Sequence, residues 1–506
     1  MVSIVEFAGA LHERIIKAAD ALGSAGGDIV FPAGRYRFDR ELTLTGRAHI
    51  RFIGEGAIID GAAARAYFNF ENCTDISFEG FQFDARFGEL APYANFSQGV
   101  RQVPIRFMNG QGLAVSRCKF ARLYTVFIYA YGSSNIDIRN SEFSSPLQNQ
   151  DQYLSFVEFL TCGGTLNVTS NFFCGAPTKI NDKSPAAVAA SGISGKLAIT
   201  DNRTQHCGRN NGGAHRLACF DLYADTVNVT VRGNTALNCR EQFMRISTSV
   251  GVVVDGNFVS MAPEVDSLYS TLSIESGSWP KVAHPVCRNI VISGNSFRCA
   301  GNRQAFAIGV TSYDWGAAAE NIRIDMNAIE GYDRAVVVAG PFRGLDVIGN
   351  RVKEVRSFLD VTQSGNVPMT SILGSEQFSF FEGLTAQDNE IEITTGSNVV
   401  PVSFSIGQAR RYLGSIGTFS FRRNRLSGRP IGTTIAVNCL FNAMVAQGVF
   451  DARDNLFRGY ATPFYLRSIK RATIEDNIAE GMTELYVTDG TVQSLGARRN
   501  RGRVAN

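Results

Sequence analysis

The chain has 506 residues, of which 44% are hydrophobic and 19% charged, so it can bury a core and does not have the composition of a disordered chain. Its formal net charge of +3 is too small for this length to make nucleic acid the expected partner, although it is compatible with acidic ligands. Because no apolar run approaches transmembrane length, the sequence predicts no membrane insertion.

The first 20 residues lack the basic, apolar and small-residue regions of a secretory signal. Three locations stay open: the cytoplasm, a virion or the cell exterior after lysis, and a secreted location whose signal lies outside this sequence. The ten cysteines contain no C-x-x-C spacing, so in a reducing compartment we expect them to be small core residues.

Residues 5 to about 22 carry the one clear helical pattern, with an apolar face made by Leu11, Ile15, Ile16, Ala19 and Leu22. Since a solenoid must cover its open end, the pattern is interpreted as an N-terminal cap. The predicted division is a cap helix in residues 1–25 and one solenoid domain with loop insertions in residues 26–506.

An asparagine then returns at intervals of about 22–39 residues, each time at the end of a strand-like segment. The series is Asn171, Asn202, Asn234, Asn257, Asn295, Asn327, Asn350, Asn389, Asn424, Asn455, Asn477 and Asn500. Other residues occupy the same place upstream, namely Gly56, Phe81, Cys118 and Ser141. Asparagine tolerates the left-handed conformation and bonds local backbone, so the series predicts a stacked turn with no catalytic role.

Apolar residues lie three and five positions before each asparagine. A polar residue usually lies two before it, and an apolar residue, often phenylalanine, usually lies two after it. This alternation is typical of half-buried strands, and the shortest repeat is too short for a propeller blade. The sequence therefore predicts an all-β fold, a right-handed single-stranded parallel β-helix of about 14–16 coils, with an asparagine ladder and a phenylalanine stack.

The opening segments "GGDIVFPAGRYRF" (26–38) and "LTLTGRAHIRFIGEGAIIDG" (42–61) carry a family resemblance. They resemble the start of right-handed parallel β-helix proteins of the pectate-lyase-like superfamily, in which a Gly-Gly-strand-Phe-Pro-x-Gly-x-Tyr segment precedes a first coil ending in Gly-x-Gly. The resemblance implies the fold and a carbohydrate ligand. Lyases, hydrolases, epimerases, fructotransferases and phage tailspikes share this fold, so the resemblance leaves the reaction open.

When the strands after successive asparagines are aligned, Asp221 and Tyr223, then Arg245, then Glu275 face outward on three successive coils. Asp221 and Glu275 would lie two rungs apart, roughly 10 Å at the backbone. Their carboxyls could then reach about 6.5–9.5 Å, the separation used by inverting glycosidases. The sequence thus predicts Asp221 and Glu275 as catalytic residues.

The predicted substrate-binding residues come from the same strands and from the inserted loops: Arg245, His215, Tyr223, Arg216, Trp279 and Trp315. Arginine suits a sugar acid, and the tryptophans suit stacking on sugar rings. Without a tight aspartate cluster, no metal and no cofactor is predicted. A cross-strand ion-pair ladder of Asp221, Arg245 and Glu275 is the structural alternative, and a metal-free lyase using Tyr223 or His215 with Arg245 is the chemical one.

The leading hypothesis is a carbohydrate-active protein that binds and cleaves a polysaccharide, as a glycoside hydrolase or a lyase. The alternatives are a phage tailspike or surface adhesin, which would bind glycan or pack in an assembly without catalysis, and a purely structural β-helix. A homotrimer would favour the tailspike alternative.

Overall fold

The computed structural model describes most of the chain. The described residues are 1–61, 66–84, 103–121, 126–144, 155–175, 185–208, 218–262, 270–277, 286–300, 305–312, 318–362, 380–394, 399–406, 415–428, 435–441, 447–489 and 492–503. They fall into two compact units, Met1–Met244 and Arg245–Asn506. The sequence-based division into a cap and one solenoid domain stays a prediction.

Each unit is a right-handed parallel β-helix, and the chain runs through a first, a second and a third sheet in every coil. In the first unit, the first sheet contains Val2–Ser3, Gly27–Val30, Ala48–Ile53, Thr74–Glu79, Gln111–Ser116, Ser134–Arg139, Gly163–Thr169, Lys196–Thr200 and Val227–Arg232. The second sheet contains Gly34–Phe38, Ala57–Gly61, Gln82–Asp84, Lys119–Ala121, Glu142–Ser144, Phe172–Cys174, Arg203–Gln205 and Thr235–Cys239. The third sheet contains Leu42–Thr45, Ala66–Glu71, Val103–Met108, Ile128–Tyr131, Ser155–Leu160, Ala186–Ser191 and Phe220–Leu222.

The second unit repeats this order, and the strand Met244–Ser247 contains the boundary. Its first sheet contains Val250–Asp255, Arg288–Ser293, Ala319–Asp325, Phe342–Ile348, Phe380–Gln387, Ser415–Ile416, Thr418–Arg422, Gln447–Arg453, Ile469–Glu475 and Leu495–Arg498. The second sheet contains Phe258–Met261, Ser296–Arg298, Ala328–Glu330, Arg351–Val355, Glu390–Ile393, Arg425–Ser427, Leu456–Arg458, Ile478–Glu480 and Arg501–Arg503. The third sheet contains Ser270–Ser276, Phe306–Ser312, Arg334–Ala339, Ser357–Thr362, Val402–Ile406, Ile435–Phe441, Thr462–Arg467 and Tyr486–Asp489. The predicted fold class is confirmed.

The helix is shorter than its apolar pattern. It spans Leu11–Leu22, and a separate 3-10 turn spans Ile4–Glu6. Gly9, at φ 115°, has a backbone conformation that an α-helix does not accept, so the prediction of a start at residue 5 is wrong. A second short 3-10 turn, Gly23–Ala25, follows the helix. In the part of the chain that is described, no helix has both the length and the apolarity needed to span a membrane.

The asparagine ladder is confirmed in both units. Asn202 is typical: its Oδ1 accepts from the backbone N–H and the side-chain amide of Asn171, at 3.0 and 3.1 Å. Its own amide donates to the backbone oxygen of Val168 at 2.8 Å and to Asn234 Oδ1 at 3.0 Å. Asn202 thus bonds the coil before it and the coil after it, and satisfies buried backbone hydrogen-bonding groups at the turn.

Two details of the sequence interpretation are wrong. The left-handed residue is the one before the ladder asparagine, such as Asp201 at φ 56° or Gly294 at φ 64°. In each Gly-Asn pair, the glycine therefore takes the left-handed backbone conformation, and the asparagine makes the hydrogen bonds. In the early coils, Ile58 pairs with Gln82, which places Ala57 rather than Gly56 opposite Phe81.

The core is apolar and regularly stacked. Phe83, Phe120, Phe143 and Phe173 form the predicted internal stack, with neighbouring ring centroids 4.7–4.8 Å apart, the spacing of successive coils. All ten cysteines are free, and nine of them are buried. Burial raises the pKa of the Cys287 thiol to about 11, as expected for core cysteines.

Candidate functional site

On the outward face of the third sheet in the first unit, six residues on successive coils lie in register, and five of them are polar. These residues lie between inward apolar pairs such as Val157 and Phe159, so the period of two directs them away from the core. We call this series the outer row. The outer row is Asn69, Arg106, Tyr129, Glu158, Ala189 and Asp221.

Asp221 lies at the end of the outer row, in Phe220–Leu222. It is only 1% exposed although it points away from the core, since Phe220 and Leu222 occupy the two inward positions. A carboxylate this deeply buried requires polar partners to offset its desolvation. Other carboxylates among the described residues are buried to 4–7% exposed, namely Asp60, Asp84, Glu158, Glu275, Asp325 and Asp451.

Glu158, two rungs from Asp221, is the second buried carboxylate of the outer row, at 4% exposed. Ala189 occupies the rung between them, pairing with Glu158 on one side and Asp221 on the other. Because alanine has no side chain beyond Cβ, the two carboxyl groups are separated by a short side chain rather than a bulky one. Two rungs correspond to about 10 Å between the backbones.

Tyr223 connects to the same pair. It follows Asp221 by two residues, and its backbone N–H donates to the oxygen of Ala190 at 2.9 Å. Its phenol donates to Glu158 Oε1 at 3.4 Å, which is a long hydrogen bond. Tyr223, predicted as a substrate contact, therefore also contacts a carboxylate that sequence reasoning missed.

A sequence signal for Glu158 did exist. The segment "SFVEFL" (155–160) has the same apolar–acidic–apolar alternation as "CFDLYA" (219–224). The alignment that places Asp221 outward, when extended to the earlier coils, also places Glu158 on the same face.

The second unit contains the other two predicted strand residues. Arg245 lies in Met244–Ser247 and Glu275 in Ser270–Ser276, and both are buried. Glu275 Oε1 accepts a hydrogen bond from Ser273 Oγ at 3.0 Å. The pairing of Asp221 with Glu275 stays a prediction, and so do the roles of both residues.

Four predicted contact residues, His215, Arg216, Trp279 and Trp315, lie outside the described residues. Among the residues that are described, no group of three or more His, Cys, Asp or Glu side chains could hold a metal ion.

Further along the third sheet of the second unit, small residues take the register position of Glu275 on the next four strands. Thr311, Thr362 and Ser405 succeed one another from the register position of Glu275, with Ala339 among them. Asp360 lies two residues before Thr362 on the same strand, Ser357–Thr362, and its carboxylate accepts a hydrogen bond from the Arg334 guanidinium. Burial raises the pKa of Asp360, the arginine opposes that rise, and Asp333 adds to it.

Two open grooves lie along the ladder turn rather than along the third sheet. One, of about 580 Å³, is in the first unit, and one, of about 760 Å³, is in the second. Their charged walls are engaged in part in inter-coil ion pairs, such as Arg423 with Asp388 at 2.7 Å. The buried, register-matched carboxylates of the third sheet are the stronger candidate for chemistry.

No protein-family model and no curated protein sequence matches this chain. Solved structures do match in fold, among them variants of the tailspike protein of E. coli bacteriophage HK620. One, in complex with a hexasaccharide, has 12% identity and a TM-score of 0.53. Another, in which an aspartate and a glutamate are both replaced, has 13% identity and a TM-score of 0.54. A third, in complex with a pentasaccharide, has 12% identity and a TM-score of 0.51.

Each of these comparisons covers 99% of this chain and 78% of the tailspike chain. At such low identity the likeness is one of fold. The chain is thus a right-handed parallel β-helix of the architecture found in phage tailspike proteins.

Proposed function

We propose that this protein binds a polysaccharide on the outward face of its third sheet and cleaves it. The observation that carries the proposal is the buried Asp221, held at a register-defined position of the outer row. The oligosaccharides bound to fold neighbours support a sugar chain as the ligand.

The proposed chemistry is hydrolysis by a pair of carboxyl groups. One protonates the glycosidic oxygen and the other activates water, with the two groups about 6.5–9.5 Å apart in an inverting enzyme. Asp221 is one member, and the sequence predicts Glu275 as its partner. Arg245, Tyr223, His215, Arg216, Trp279 and Trp315 are the proposed substrate contacts. Arginine would pair with acidic sugars, and the aromatic side chains would stack on sugar rings.

A polysaccharide panel tests the reaction class. Ultraviolet absorbance of unsaturated products and the appearance of new reducing ends are followed together. Reducing ends without absorbance indicate hydrolysis, and both signals together indicate elimination by a lyase. If neither signal appears on a polysaccharide that the protein binds, cleavage is excluded for that glycan.

The assignment of Asp221 is tested by Asp221→Asn, with Glu275→Gln in parallel. Loss of a proton-transferring group costs about 10²- to 10⁴-fold in turnover. The matched control is Asp137→Asn, an outward aspartate of the first sheet that lies 3.4 Å from Arg139. Unchanged turnover in both site variants would overturn the roles of these carboxylates.

The second candidate function is glycan binding without cleavage, as in a tailspike body or a surface adhesin. The observation that favours it is the complexes of tailspike variants with penta- and hexasaccharides, because the same fold there holds a sugar chain. Calorimetric binding of a glycan by the wild-type protein, with neither cleavage signal after prolonged incubation, supports this candidate over the first.

A further inference from the structure

Resting on the proposed function, we propose that Glu158 is the carboxylate that works with Asp221, and that Tyr223 positions it. The sequence alone predicts Glu275 as the partner of Asp221. Register, burial and one hydrogen bond, all within the first unit, point to Glu158 instead.

The register sets the separation. Glu158 and Asp221 occupy the same position on strands two rungs apart, on the same face of the third sheet. Their backbones are about 10 Å apart, so modest side-chain rotations bring the carboxyls to the separation of about 6.5–9.5 Å that leaves room for a water molecule and a glycosidic bond. Carboxylates on directly adjacent rungs, about 4.8 Å apart, would be too close for that arrangement.

Ala189 makes the arrangement usable. It is the one outer-row residue between the two acids, and its methyl group is the smallest side chain that the strand can carry there without glycine. A leucine or arginine at this rung would project between the two carboxyl groups. The outer row is larger elsewhere, since Arg106 and Tyr129 occupy the preceding rungs. The smallest side chain of the outer row therefore lies between the two carboxylates.

Tyr223 contacts one of the two acids, Glu158. Its hydroxyl donates to Glu158 Oε1, and a donor of this kind stabilises the ionised form of the carboxyl that accepts it. We therefore assign Glu158 as the general base, which leaves Asp221, two rungs away, as the general acid.

The step balances with water as the only co-reactant. Glu158 accepts a proton from water as the water oxygen bonds to the anomeric carbon. The bond from that carbon to the glycosidic oxygen breaks, and Asp221 gives its proton to the departing oxygen. Two shorter sugar chains result, one with a new reducing end, and proton exchange with solvent restores both carboxyl groups.

The test compares Glu158→Gln with Glu142→Gln on a polysaccharide that the wild-type protein cleaves. Glu142 is a matched control in the same unit, half-exposed on the second sheet and 3.5 Å from Lys119. We expect turnover to fall about 10²- to 10⁴-fold in Glu158→Gln and to stay unchanged in Glu142→Gln. Glycan affinity and the unfolding temperature are measured on both variants, so that a folding defect is recognised.

Tyr223→Phe provides the readout that a merely structural role would not change. Without the phenol donor, the acidic limb of the pH–rate profile should move to higher pH, while the glycan dissociation constant changes little. If the folded Glu158→Gln variant cleaves at the wild-type rate, or if the profile of Tyr223→Phe is unshifted, the inference is overturned. A wild-type protein that cleaves nothing instead overturns the proposed function itself.

Discussion

At the scale of single residues, the asparagine ladder separates two tasks within each turn. The residue before the asparagine takes the positive φ, and Gly, Asp, Arg and Met all occur there. The asparagine supplies the hydrogen bonds, with its oxygen accepting from one coil and its amide donating to backbone and to the next coil. The first position therefore accepts several residue types, whereas from Asn171 onward the second is asparagine, whose amide satisfies buried backbone hydrogen-bonding groups.

Asn202→Ala is expected to lower the free energy of unfolding by about 3 kcal/mol, because it leaves the N–H of Asn171 and the oxygen of Val168 buried without these partners. The matched control is Asn167→Ala, a half-buried outward residue of Gly163–Thr169, which should change stability by less than about 0.5 kcal/mol. Denaturant unfolding measures both, and equal effects would contradict the ladder's role.

Glu79 gives a pH-dependent contribution. The hydrogen bond from Arg51, helped by the charges of Arg51 and Arg117, holds the pKa of the Glu79 carboxyl below its ordinary range. Since the folded-state pKa lies below the unfolded value, this stabilisation is present above the unfolded pKa and is lost as pH falls through the folded one.

Glu79→Gln should therefore destabilise the protein at pH 7, by under about 1 kcal/mol for a pair this exposed. The difference from wild type should shrink as the pH is lowered below about 4.3, the ordinary value for glutamate. Denaturant unfolding at several pH values measures it. Glu55→Gln is the control, because Glu55 is 80% exposed and lies 3.9 Å from Arg117. A difference that persists unchanged in acid would contradict this account.

At the scale of the elements, each coil is stabilised by packing against the neighbouring coils. Short strands of three residues, such as Glu142–Ser144 and Phe172–Cys174, would be marginal alone. Their phenylalanines stack face to face, with Phe143 4.8 Å from both Phe120 and Phe173. The aromatic stack compensates for the few backbone hydrogen bonds that such strands make.

Phe143→Ala should accordingly cost about 3–5 kcal/mol of unfolding free energy, because it opens a cavity in the stack. Phe172 is the matched control on the neighbouring strand: it is half-buried, and the Arg203 guanidinium lies 5.6 Å from its ring centre. Phe172→Ala should cost about 1 kcal/mol, the usual effect of a single substitution outside the core. A control that loses as much as Phe143→Ala in denaturant unfolding would show that the stack has no special role.

At the scale of the whole molecule, assembly is the property that follows least from a single chain. The tailspike alternative predicts a homotrimer, in which parallel solenoids would present their glycan-binding faces together. Multivalent presentation raises the avidity for a polymer without any new contact. It would thus suit a protein that must hold a repetitive surface.

Under the tailspike alternative, sedimentation equilibrium should give three times the 55.0 kDa mass of one chain. A trimer that persists at low protein concentration supports the tailspike alternative. A monomer at the same concentrations would count against it and would favour an enzyme that acts as a single chain. The same measurement in the presence of a glycan that the protein binds shows whether assembly depends on the ligand.

The sequence by itself determined the class of fold, the ladder asparagines and the outward position of Asp221. These features depend on local alternation and on a residue type that recurs once per coil, and both can be counted along the chain. Tertiary structure decided which outward residues become neighbours. Tyr223 and Glu158 are 65 residues apart in sequence, yet their side chains form a hydrogen bond.

The insertions between coils vary in length, so sequence separation does not measure distance along the solenoid. Only the pairing of Glu158, Ala189 and Asp221 across adjacent strands shows that one alanine separates two buried acids. The physical reason is that a strand's face is set by its own period of two, whereas its neighbours are set by hydrogen bonds to coils that are remote in the chain.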